Sequence, residues 1–310
     1  MKRILISGGT GFVGGRLAKR LAGEHKVYIS SRKHLEEKKL KLYGDVFPID
    51  HPSLFDIEKF PEVDTVIHLA ALNEWDSVKY PEEAQRVNVD QTRILLENGI
   101  AKGVQQFVYF STAHVYGSPL VGRISEETLP KPTHPYAITH YQAEDFVISA
   151  AKQNRIKGIV LRLSNSFGAP ISADTNRWTL LANDLCRQAV EKGKMVLKSN
   201  GCQYRDFICL SDVEDILASM VERRIPLKQI VYNLGSGLAA RVIDMARKIE
   251  QRCVPILKRN IPVELPDNAI ETEEPLLDYS NDRLLSEGFR INNDVNGELE
   301  RLLQFCKDNF

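Results

Sequence analysis

Long apolar runs are missing from these 310 residues; no stretch approaches the roughly 20 apolar residues that a membrane-crossing helix needs. An excess of charge of either sign is missing too. Forty-one Lys+Arg balance 41 Asp+Glu, so no net field draws the molecule to nucleic acid or to an anionic bilayer, and an anionic ligand must be held by local groups. Cysteine is scarce and unpatterned: Cys186, Cys202, Cys209, Cys253 and Cys306 are an odd number with no C-x-x-C pair. That argues against a disulfide framework or a zinc knuckle and for buried, reduced thiols, and no metal site is expected. Repeats and low-complexity tracts are absent. The start, MKRILISGGTG, is basic, but serine and glycine interrupt its apolar run too early for a signal peptide, so the cytoplasm is the expected location.

What is present is an ordinary globular composition, 43% apolar and 26% charged, enough for one large core or two closely joined ones. Short apolar runs (RILIS, KVYIS, DVFPID, TVIHLA, QFVYFS, GIVLRL) alternate with helix-like stretches around 83 to 100 and after Tyr136. Strict alternation predicts parallel strands with crossover helices, an α/β doubly wound parallel sheet of Rossmann type. The rhythm changes near Gly168-Ala169-Pro170. Residues 1–168 therefore read as a dinucleotide-binding domain and 169–310 as a smaller substrate-binding lobe, with 207–236 a candidate to return to the first.

Residues 4 to 17, ILISGGTGFVGGRL, place Gly8, Gly11 and Gly14 between a strand and an amphipathic helix. Glycines let the backbone approach a diphosphate, and the helix N-terminus offers free N–H groups and partial positive charge, so this turn, with Phe12 and Val13 inside it, is the expected cofactor cradle. The second strand ends in Ser30-Ser31-Arg32-Lys33 where NAD-binding chains carry a carboxylate. A hydroxyl (Ser31) and two cations (Arg32, Lys33) suit the extra phosphate of NADP. NAD stays as the alternative, with the cations opening a solvated basic helix.

Many ordered segments together resemble the extended short-chain dehydrogenase/reductase family, of the NAD-dependent epimerase/dehydratase type, whose members mostly act on nucleotide sugars. They are SGGTGFVGG (7 to 15), VFPID (46 to 50), VIHLAA (66 to 71), VNVDQT (87 to 92), FSTAHVYG (110 to 117), PYAITHYQAE (135 to 144), LRLSNSFGAP (161 to 170) and RDFICLSDV (205 to 213). The resemblance implies that Asp50 meets the adenine and that Leu69, Ala70 and Ala71 line the cofactor. It also implies that Thr112 and Tyr136 are the catalytic hydroxyls, that Asn165 and Arg205 face the substrate, and that a homodimer forms through the helices near 83 to 100 and 138 to 153. Asn88 and His68 read instead as internal braces, and Phe167 equally as core. His114, two residues past Thr112, faces either the sugar or the pocket rim.

His140 departs from the pattern. The family has lysine four residues after the tyrosine, one helical turn along, and a cation there lowers the tyrosine pKa. Moving that pKa from about 10 to 7 takes roughly 4 kcal/mol, about what one cation at 4 Å supplies at an effective dielectric near 20. A neutral imidazole supplies little of it. Tyr136 is therefore expected as a phenol, ready to give a proton rather than take one. The expected function is NADP(H)-dependent reduction of a keto group on a nucleotide-diphosphate sugar, with a non-catalytic nucleotide or nucleotide-sugar binder and an NAD-retaining 4-epimerase as alternatives. Ala113-His114 stands where the dehydratases carry Asp-Glu, which disfavours dehydration.

Overall fold

The computed structural model describes all residues except 32–35, 224–226, 268–269 and 271. By internal contact the chain divides into two compact units. One comprises Met1–Pro119, Glu126–Leu163 and Leu217–Asn233, the other Leu120–Ser125, Ser164–Ile216 and Leu234–Phe310.

The first unit is built on a seven-stranded sheet containing β1 (Arg3–Ser7), β2 (Lys26–Ser31), β3 (Val46–Asp50), β4 (Thr65–His68), β5 (Gln106–Thr112), and the strands Lys157–Leu163 and Val231–Leu234. The order runs β3-β2-β1-β4-β5 and then out through the 157–163 and 231–234 strands. The β1–β2, β2–β3, β1–β4, β4–β5 and β5–(157–163) pairings are all parallel. The sheet is therefore the Rossmann-type α/β arrangement that the strand-helix alternation predicts. Strand order reverses between β1 and β4, and ligands of such sheets bind beyond the carboxyl ends of the strands at that switch.

Alternate residues of β1 explain why its run is continuously apolar. Leu5 joins a core with Val66, Phe107, Leu95, Leu96, Val147 and Val160, while Ile4 and Ile6, pointing the other way, are also fully buried. Helix α1 (Phe12–Leu21) buries Phe12, Leu17, Ala18 and Leu21 and turns its basic last residues outward.

The helical stretch predicted around 83 to 100 is not one regular helix. It starts at Pro81, widens into a π turn over Gln85–Asp90 and returns to α geometry over Gln91–Ala101. The Thr92 hydroxyl bonds the Asn88 carbonyl at 2.7 Å. A side chain competing for that carbonyl is what loosens a helical ladder.

The second unit has its own core. Helices Leu181–Lys192, Val242–Leu257 and Val295–Asn309 enclose Phe167, Leu185, Ile249, Leu302 and Leu303. All five cysteines are buried and free. Burial pushes the Cys306 thiol up to about 12, so it stays protonated and inert.

Candidate active site

At the sheet's switch point β1 ends in Ser7 and the chain turns at Gly8, whose φ is +71°. A Cβ there would lie 3.0 Å from the Ala70 nitrogen, so the glycine turn and the 69–71 segment after β4 meet backbone to backbone. At Gly14 a Cβ would fall 2.3 Å from the Gly8 carbonyl oxygen; the tight strand-to-helix turn exists only without it. Gly11 caps α1 without a side-chain hydrogen bond, and no acidic residue occupies the first turn. The helix thus presents its N–H groups with no carboxylate to consume them, which fits the diphosphate of a dinucleotide. Phe12 buries its ring, which leaves only its main-chain N–H to the cradle expected here, and Val13 is half-buried beside it.

Ser30 closes the same turn from β2, its hydroxyl accepting from the Gly8 N–H at 3.3 Å. Ser31 pairs in register with Asp50 at the carboxyl ends of β2 and β3, so these two predicted cofactor residues are neighbours. Arg32 and Lys33 lie outside the described residues.

The residues expected from the sequence to handle the proton lie on β5 and on the helix Pro135–Lys152. Pro135 suits the first helical position, and His134 caps the helix, its Nδ1 accepting from the Tyr136 N–H at 3.2 Å. Tyr136 is buried, and its ring meets the His140 ring edge-on, with centroids 4.4 Å apart. Two hydrogen bonds pin successive turns of this helix to β5: Tyr109 hydroxyl to His140 Nδ1 at 2.8 Å and Ser111 Oγ to Glu144 Oε1 at 2.5 Å. Positions 109 and 111 share a strand face, and 140 and 144 share a helix face, so the two periodicities match. Glu144, fully buried, also holds Arg162 at 2.6 Å. Burial alone would lower the Arg162 pKa, but the Glu144 carboxylate outweighs it and raises the value.

Thr112, buried at the end of β5, accepts from the His114 N–H at 3.2 Å and starts the turn Ala113–Tyr116. His114 is half-buried on that turn.

Behind these groups runs a bonded chain. Ser7 Oγ meets His68 Nδ1 at 2.5 Å and His68 Nε2 meets Thr92 Oγ1 at 2.8 Å. Asn88 accepts from the Leu72 N–H at 2.7 Å and donates to Thr139 Oγ1 at 3.0 Å, and that hydroxyl donates to the Tyr136 carbonyl at 3.0 Å. His68 and Asn88 are braces, and burial lowers the His68 pKa to about 3.

In the second unit, strand Tyr204–Cys209 sets Arg205 and Asp206 to opposite sides. Asp206 is buried and accepts from Ser164 Oγ and from the Ser236 and Gly237 N–H groups. Arg205 has no hydrogen bond or carboxylate partner among the described residues, and burial lowers its pKa. Asn165 donates its amide to the Asp206 carbonyl at 3.1 Å, and Phe167 is core.

The sequence profile of the NAD dependent epimerase/dehydratase family matches residues 4–235. The chain belongs to this family. It is 27% identical to the dTDP-D-glucose 4,6-dehydratase of Mus musculus over 302 residues, covering 91% of this chain and 78% of that one. It is 30% identical to the UDP-glucose 4-epimerase of Haemophilus influenzae over 281 residues, covering 80% and 82%. Among solved structures the fold matches a Bacillus cereus UDP-glucuronic acid 4-epimerase, in complex with UDP-glucuronic acid and NAD, at TM-score 0.81 and 21% identity, covering 99% of this chain and 100% of that one. It also matches the protein RMD from Pseudomonas aeruginosa, complexed with NADPH, at TM-score 0.77 and 20% identity, covering all of both chains.

For an epimerase/dehydratase-family chain, two residues of this site went unread in the sequence. Tyr109 looks like one more core aromatic of a buried strand, and its bond to His140 spans 31 positions. Ser30 looks like part of the exposed end of β2. The outward signal at Tyr109 was a polar hydroxyl inside an otherwise apolar run, since a buried tyrosine needs a partner. Glu24, His25 and Glu222 also gather, with ligand atoms within 4.8 Å of one another. There the Lys2 N–H points at His25 Nδ1, which leaves the imidazole proton on Nε2, facing Glu222, and gives no lone pair for a cation.

Proposed function

We propose that this family member reduces a keto group on a nucleotide-diphosphate sugar with NADPH. The observation that carries the reading is Tyr136, a buried hydroxyl at the start of its helix whose neighbour one turn on is an imidazole and not an ammonium. Tyr136 gives its proton to the carbonyl oxygen and the Thr112 hydroxyl orients that oxygen. A bound nicotinamide supplies the hydride. His140 stands toward the nicotinamide ribose. Gly8, Gly11, Phe12, Val13 and Gly14 cradle the dinucleotide diphosphate, Leu69, Ala70 and Ala71 line it, and Ser31 and Asp50 hold its adenosine end. Arg32 and Lys33 take the extra phosphate. Arg205, a half-buried cation without a carboxylate, pairs with the substrate diphosphate, Asn165 sits beside it on the substrate side, and His114 faces the sugar.

The test is NADPH oxidation by the purified protein against a panel of keto-sugar nucleotides. Turnover that Tyr136→Phe lowers by about 10²- to 10⁴-fold is expected for loss of a positioned proton donor. Binding of nucleotide sugars with no turnover across the panel would instead mark a binder. A second reading, an NAD-retaining 4-epimerase, is favoured by the 30% identity to the UDP-glucose 4-epimerase. Tightly held NAD in the purified protein, with interconversion of UDP-sugars and no net oxidation of NADPH, would establish it. We further propose a homodimer through the 81–101 and 135–152 helices; light scattering should return twice the 35.1 kDa chain mass.

A further inference from the structure

We infer that Tyr109 is a positioning residue that holds His140 as the neutral imidazole with its proton on Nε2, so that position 140 serves the site as a hydrogen-bond donor and not as a cation. The contact itself is a 2.8 Å approach of the Tyr109 hydroxyl to His140 Nδ1, between side chains that are both buried. Which atom donates follows from the surroundings. The Tyr109 hydroxyl has no second acceptor among the described residues, so if Nδ1 carried the proton, a buried O–H would be left without a partner, at a cost of the order of 1–3 kcal/mol. Donation from Tyr109 satisfies its hydroxyl and requires a lone pair on Nδ1. A neutral ring with a lone pair there bears its proton on Nε2.

The groups around the pair support the same state. Desolvation, then the Glu144 charge, holds the Tyr109 pKa well above the ordinary tyrosine range, so it stays a phenol with a proton to give. On its other side its ring lies tilted against His68, with centroids 5.7 Å apart, and His68 is itself neutral, with its proton placed toward Thr92 because that hydroxyl donates onward to the Asn88 carbonyl. From β5 only Tyr109 and Ser111 face this side of the helix with polar atoms in these bonds. From the helix itself come Tyr136 and Glu144, and Glu144 is occupied by Ser111 and Arg162. Passing the Nε2 proton onward would leave a buried Tyr109 phenolate, so the pair holds its proton and does not relay it.

The consequence for catalysis rests on the reading of Tyr136 as proton donor, but the protonation state can be read without substrate. The experiment is ¹⁵N NMR of the full chain labelled at histidine, with His140 assigned by its disappearance in His140→Gln. Between pH 6 and 8 we expect one protonated and one lone-pair nitrogen, the lone pair on Nδ1. In Tyr109→Phe, checked for folding by thermal melt, the pattern should move toward mixed tautomers or begin to titrate in this range. An imidazolium spectrum at pH 7.5, a proton on Nδ1, or an unchanged pattern in a folded Tyr109→Phe would each overturn the inference. If that variant does not fold, the wild-type spectrum decides alone. An enzyme inactive on every keto-sugar but showing the Nε2–H ring would remove the reductase reading and leave this one standing.

Discussion

Single atoms decide much at the residue scale. A methyl at Gly14 would meet the Gly8 carbonyl at 2.3 Å, whereas one at Gly23 meets nothing within 4 Å. Gly14→Ala should therefore lose dinucleotide binding or unfold, while Gly23→Ala should match wild type or gain about 0.4–1 kcal/mol from a less flexible unfolded chain; calorimetric titration and chemical denaturation distinguish the two. His68 makes a different prediction. Its folded pKa is about 3 against an ordinary 6.5, so between those values the unfolded chain binds a proton that the native protein refuses. Stability from this group is complete above pH 6.5 and is lost as pH falls toward 3, by at most about 5 kcal/mol in all. Urea midpoints should fall from pH 6.5 to 5, above the carboxylate range, and His68→Gln should flatten that slope.

At the scale of elements, the Pro135–Lys152 helix owes its placement to polar pins as well as to apolar packing. Glu144 and Arg162 are both almost wholly buried and bonded to each other, and Glu144 also accepts from the Ser111 hydroxyl. Glu144→Gln takes the carboxylate from a buried guanidinium and should cost about 3–5 kcal/mol, whereas Glu144→Leu with Arg162→Met should recover most of the loss. A double-mutant cycle of urea melts checks both. The elements themselves were readable because apolar runs and helical periods are local: each large-sheet strand from β1 to β5 follows one quoted apolar run. Tyr109 with His140 and Ser30 with Gly8 were unreadable because they exist only once a helix or a strand is laid against its neighbour. The π turn was hidden for a related reason, since Thr92 diverts the Asn88 carbonyl with a side chain that reads as neutral in a helix. In the second unit the strands Asn165–Phe167 and Ala239–Arg241 have three residues each, too few to show a period.

For the whole molecule, each unit keeps its own core, and in the second unit the buried thiols stay inert while Arg205 is half-buried with no carboxylate partner among the described residues. Arg205→Met should weaken binding of a nucleoside diphosphate by about 10- to 100-fold, the range of a lost charge-assisted bond, and leave dinucleotide affinity unchanged; isothermal titration with each ligand separates these outcomes. The bonded chain from Ser7 through His68, Thr92, Asn88 and Thr139 to the Tyr136 carbonyl has a mechanical meaning as well. It is a strut between the phosphate turn and the tyrosine helix, so the spacing of these two parts is fixed before any ligand arrives. The Leu72 amide, tied to Asn88, should then be among the slowest to exchange with deuterium in the ligand-free protein, and Asn88→Ala should speed exchange at the glycine turn and at the start of the Tyr136 helix alike.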